Sequence, residues 1–129
     1  MTEEVRVTSS TGGEKGTKIQ RMDLIPVNGL QELGTVYGKG AEKYDDNNYR
    51  KGYNWSLSIA AAYRHFTAWI GGEDLDPEFG TSHLMHVAWH MFTLYTFMEE
   101  HPEFDDRWVS VKRDLEQKLK DAQAEVDWK

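Results

Sequence analysis

The chain has no cysteine, which excludes disulfides and thiolate metal sites. No apolar run approaches the length of a bilayer span, so no membrane segment is expected. A basic-then-apolar leader is missing at the N-terminus, and the expected compartment is the cytosol. Positive charge is in deficit. The net charge of −7 argues against a partner that is a nucleic-acid polymer, which would call for a basic surface. The imbalance is local: residues 99–129 hold ten acids against six bases, while residues 1–21 carry Arg6, Lys15, Lys18 and Arg21 against three acids.

What is present fits one folded domain. A length of 129 residues, 39% of them apolar and 12% aromatic, suffices for a single core. Residues 1–20 show no apolar period and are rich in Ser, Thr and Gly, so they read as a Gly/Lys-rich loop or extended arm. The one stretch that could pair as a strand is Val5–Thr8. Residues 21–100 read as the helical core and 101–129 as a terminal amphipathic helix. A helix is expected from an Asn28 cap to about Tyr44, since Leu30, Leu33, Tyr37, Ala41 and Tyr44 step by three and four. Gly34, Gly38 and Gly40 weaken it and predict close backbone packing or a break near Gly38. Ser56 is the expected cap of a second helix ending at Gly71-Gly72, and Thr81 or Ser82 opens a third, to about Glu99. The fourth, from about Arg107 to Val126, carries Trp108, Val111, Leu115, Leu119, Ala122 and Val126 on one stripe. The expected class is all-α, a compact bundle of about four helices.

Four of the five histidines crowd between Arg64 and His90, around Gly72-Glu73-Asp74-Leu75-Asp76. Imidazole with carboxylate is a common ligand set for catalytic divalent metals. His83, His86 and His90 share one face of the third helix, and His65 ends the preceding one. An antiparallel hairpin would bring His65, His83 and the acidic knot together; His90, two turns away, reads as structural. Such a mixed site suits Mn²⁺, Fe²⁺, Co²⁺ or Zn²⁺, and carboxylates alone suit Mg²⁺. Glu42-Lys-Tyr-Asp45 and Glu73-Asp-Leu-Asp76 are both acid pairs at spacing three, a pattern that on helices can form a Mg²⁺ cluster but more often marks a solvated face. Gly12-Gly-Glu-Lys15-Gly-Thr-Lys18-Ile-Gln-Arg21 offers backbone N–H groups and cations to a polyphosphate, without the spacing of a Walker loop.

Taken in order, Tyr37-Gly-x-Gly-Ala-Glu-Lys-Tyr44, Asn48-Tyr-Arg-Lys-Gly52, Trp55, Arg64-His65, Gly72-Glu-Asp-x-Asp-Pro-Glu78 and His83-x-x-His86 resemble the phage dATP/dGTP diphosphohydrolase family, whose members include the MazZ enzymes. The resemblance spans roughly residues 11 to 98. It implies hydrolysis of a purine deoxynucleoside triphosphate to monophosphate and pyrophosphate, in the cytoplasm of an infected bacterium. Kinship with all-α MazG-type enzymes further implies Mg²⁺ or Mn²⁺, with Co²⁺ or Zn²⁺ also compatible, and a homo-oligomer, at least a dimer. The chain departs from the MazG pattern in opening its third helix with His-x-x-His instead of Glu-x-x-Asp.

Fitted to that chemistry, Glu42, Glu73, Asp76 and His83 would hold metal, with His65 and His86 as further ligands. Glu42 would orient the attacking water as general base. Lys15, Lys18, Arg21, Lys43 and Arg64 would neutralise the triphosphate, and Asn48 and Trp55 would contact ribose or base. The rival readings are a non-catalytic nucleotide sponge, an HD-type phosphohydrolase and a helical adaptor. The second is weakened because no His-Asp dipeptide occurs.

Overall fold

The computed structural model describes residues 5–128 and divides after Gln31 into two compact units. In the first unit, β1 (Val5–Thr8) and β2 (Glu14–Thr17) pair antiparallel, with Val5 opposite Thr17 and Thr8 opposite Glu14. β1 is the strand expected at Val5–Thr8; its partner β2 was not expected, and the hairpin corrects the strict all-α class; residues 1–4 lie outside the described residues. The Ser9 hydroxyl accepts from the Gly13 and Thr11 amides, and Gly12 turns the chain at φ +84°. β1 is exposed throughout and β2 buries neither Glu14 nor Lys15, so no core imposes an alternation that would mark β2 in sequence.

The four expected helices are present: α1 (Val27–Tyr44), α2 (Trp55–Ile70), α3 (His83–Glu100) and α4 (Trp108–Trp128). α1 starts directly after Pro26, whose carbonyl accepts from the Leu30 amide, so Asn28 lies in the first turn and is no cap. It also runs unbroken through its glycines. A Cβ added at Gly34, Gly38 or Gly40 would meet no atom within 4 Å, so neither a break nor close packing within this chain accounts for them. α2 begins two residues earlier than expected. Its free amide at Ser56 is satisfied from far along the chain by Asp106, whose carboxylate also accepts the Ser56 hydroxyl at 2.5 Å. Ser82 caps α3 as expected, accepting from the Leu84 amide at 3.1 Å.

In the second unit α2 and α3 run antiparallel: His65 meets His83, Ser58 meets His90, and the Trp55 indole donates to the His101 carbonyl. The core is small, formed by Leu33 and Val36 of α1, Trp55 and Ala62 of α2, and Phe97 of α3. Asp76 organises the α2–α3 connection. Its carboxylate accepts from the Phe79 amide at 2.8 Å, and its backbone bonds Thr81 and Gly80. Leu75 bridges Ser82, and the Asp74 carbonyl accepts from His83 N. A loop so tied presents Asp76 to α2 in a fixed position.

Candidate metal centre and cleft

His65 Nδ1 and His83 Nδ1 lie 2.8 Å apart, and Asp76 Oδ1 is 3.9 Å from His65 Nδ1. One donor atom from each residue falls within 4.8 Å of the others. Ligand bonds of about 2.0–2.1 Å to a central ion put neighbouring donors roughly 3 Å apart, so a His₂Asp set of this spacing can close around one divalent cation. Glu73 stands behind, not in, this group. Its Oε1 is 2.6 Å from His83 Nε2, so the ring donates there and keeps its Nδ1 lone pair facing His65. Glu73, expected among the ligands, here bonds the His83 ring.

Ring stacking holds the rest of the cluster. Phe79, His86 and His65 form a column, with centroids 5.5 and 4.5 Å apart and planes within 8° and 11°. His86 Nε2 is engaged by Thr81 Oγ1 at 2.7 Å, so that nitrogen is occupied. Burial holds the imidazoles of both His65 and His86 below the ordinary histidine range, opposed in each case by the Asp76 charge. His90 is pushed down to about 4, mainly by burial. Its Nδ1 meets Ser58 Oγ at 2.9 Å, and Ser58 in turn meets the Tyr53 hydroxyl at 2.6 Å. A fully buried serine between a tyrosine and a histidine carries no periodic signal, and sequence reading missed it.

His65, His86 and His90 also line a cleft of about 760 Å³. Its other walls include Tyr37, Gly38, Gly40, Tyr44, Asn48 and Tyr49 of α1 and the turn after it, Leu57 of α2, Phe79 of the α2–α3 connection and Trp89 of α3. Lys43 stands on the lining, held by Glu78 at 2.7 Å, which raises its pKa. Lys39 donates to the Phe79 carbonyl. Asn48 is in the cleft. Trp55 is not: it is buried, its indole N–H is spent on His101, and the Arg107 guanidinium lies 4.9 Å over its ring. The sequence showed a tryptophan between loop and helix, but not that the helix would roll it inward.

Glu42 is exposed and stands outside the His–Asp group, in a shallow depression with Lys39, Lys43, Glu78 and Phe79. Arg64 is exposed on α2, next in sequence to His65. Lys15, Lys18 and Arg21 belong to the first unit, all exposed; Arg21 is paired with Asp23 through two hydrogen bonds of 2.8 and 2.7 Å.

Fold and site together define a mostly helical protein with a potential metal centre set into the wall of an aromatic cleft. The family model described as dATP/dGTP diphosphohydrolase, N-terminal, matches residues 9–107, and the chain belongs to that family. The match ends at the residue before α4. No curated protein and no solved structure matches the chain. Among the described residues, no helix is long and apolar enough to cross a membrane.

Proposed function

We propose that this chain hydrolyses dGTP and dATP to the monophosphate and pyrophosphate with a divalent cation held by His65, His83 and Asp76. The observation that carries this reading is the double position of His65, which belongs both to the ligand-like group and to the cleft wall. A nucleotide in the cleft would therefore meet the ion. A bound cation would lower the pKa of a water and draw charge from the phosphate oxygens. The two imidazoles favour Mn²⁺, Co²⁺ or Zn²⁺ over Mg²⁺.

The chain's own residues supply the remainder. Glu73 fixes the His83 tautomer by taking its Nε2–H. Neutral His86 and His90 bring polar ring atoms to the cleft without adding charge beside the cation. Lys43, at the cleft and the neighbouring depression alike, offsets phosphate charge. Glu42 acts at that depression, on water or on a second ion beside the outer phosphates. The setting is phage nucleotide metabolism in the bacterial cytoplasm, and the working form is a homo-oligomer.

Purified protein incubated with Mn²⁺, Mg²⁺, Co²⁺ or Zn²⁺ and each of the four dNTPs tests the reading, with products resolved by chromatography. dGTP and dATP should give monophosphate and pyrophosphate, and His83→Ala should abolish both. Absence of monophosphate from every nucleotide with every metal sinks the enzyme. Intact nucleotide released from the heated protein would then point to a sponge.

A further inference from the structure

We infer that the corner of the cleft formed by Tyr37, Tyr49 and Trp89 is the nucleobase subsite, and that the Asn48 amide there donates to purine N7. This deepens the function proposed above and rests on it. The three rings come from α1, the turn after it and α3, and their centroids lie 6.0, 5.8 and 5.5 Å apart. Their planes cross at 65°, 44° and 70°, so no two are stacked face to face, and all three are only half-buried. Aromatic groups that line an open cleft without stacking on each other keep some face area for a flat ligand; the Arg50 guanidinium, 5.4 Å from the Tyr49 centroid, covers part of that ring.

The corner is also placed correctly relative to the cluster. Trp89 touches His90 edge-on at 4.8 Å, and His90 lies 6.0 Å from His65. Two ring contacts thus lead from the corner to the ion's ligands, a layout that lets one nucleotide hold its base at one end and its phosphates at the other. Gly38 and Gly40 present bare backbone to the same space, which side chains would fill.

Asn48 supplies selectivity. It lines the cleft beside Tyr49, half-buried, and no hydrogen bond within the chain engages its amide among the described residues. Adenine and guanine differ at position 6, where one offers a donor and the other an acceptor, but both accept at N7. Pyrimidines have no ring nitrogen there. A donor aimed at N7 therefore accepts both purines and rejects both pyrimidines without reading the 6-substituent.

The test uses one protein variant and one altered substrate. Trp89→Leu should raise KM for dGTP and dATP about tenfold or more, from lost stacking, with kcat changed less than threefold and the bound-metal stoichiometry intact. 7-Deaza-dGTP, which lacks the acceptor, should show a KM about fivefold above that of dGTP with the unaltered protein, and Asn48→Ala should abolish that difference. Equal KM for dGTP and its 7-deaza analogue overturns the N7 contact, and an unchanged KM in Trp89→Leu overturns the stacking corner. Should Trp89→Leu fail to fold, the metal-free unaltered protein is titrated with dGMP and followed by the ¹⁵N-indole signal of Trp89, assigned through Trp89→Phe. Movement of that signal without any dNTP turnover upholds the subsite while the hydrolase reading falls. Turnover with no movement of the signal overturns the subsite and leaves the hydrolase standing.

Discussion

Two imidazole nitrogens 2.8 Å apart cannot both present lone pairs to each other; a proton or a cation must lie between them. Because Glu73 takes the His83 Nε2–H, the shared proton of the metal-free chain belongs to His65 Nδ1, and an ion would displace it. Glu73→Gln keeps an acceptor oxygen but removes the negative charge that faces the His83 ring. Mn²⁺ affinity, measured by titration calorimetry at pH 7.5, should fall about tenfold, while thermal stability of the metal-free protein changes little because Glu73 is half-exposed. Unaltered affinity would show that Glu73 does not tune the site. The histidine types and their crowding were legible in sequence. That Glu73 serves His83 and that Glu42 stays outside was not, because both are acids beside plausible partners and only the loop path separates their roles.

At the scale of elements, α1 and α4 were legible from apolar stripes, α2 and α3 from caps and stops, and β1 as a strand candidate, while β2 was not, because it buries neither Glu14 nor Lys15. Boundaries failed where a cap comes from far away, as with Asp106 serving the start of α2. The turn between α1 and α2 shows the same dependence. Gly52 sits at φ +89°, and a Cβ there would stand 2.8 Å from the His101 ring and from Phe104. His101 Nε2 also bonds the Arg50 carbonyl at 2.6 Å, so this ring cannot retreat freely. Gly52→Ala should therefore cost about 2 kcal/mol or more, from backbone strain and overlap together, read as a lower urea midpoint at unchanged m-value. A loss below about 0.5 kcal/mol would mean that the turn yields. Gly34→Ala, on an open helical face at negative φ, should instead raise the midpoint.

The whole molecule leaves much apolar surface uncovered. Tyr63 and Ile70 of α2, Phe92 and Tyr95 of α3, and Leu119 and Trp128 of α4 are all exposed. On α4 the stripe repeats every eleven residues, Trp108 with Leu119, Val111 with Ala122 and Leu115 with Val126, a period that keeps one seam along a nearly straight helix. Such a seam favours helix-to-helix association, in keeping with the homo-oligomer proposed above. Leu115→Glu combined with Leu119→Glu should lower the mass found by light scattering without loss of helix signal in circular dichroism. A monomer already present in the unaltered protein would remove the association. The sequence by itself determined the class of the helices, the family and the stock of histidines and acids, because these follow from local period and residue order. The tertiary structure alone decided which groups meet. An antiparallel turn fixed by Asp76 sets His65 against His83, and packing spends Trp55 in the core while leaving Tyr37, Tyr49 and Trp89 on the cleft, contacts between residues far apart in the chain that no local pattern encodes.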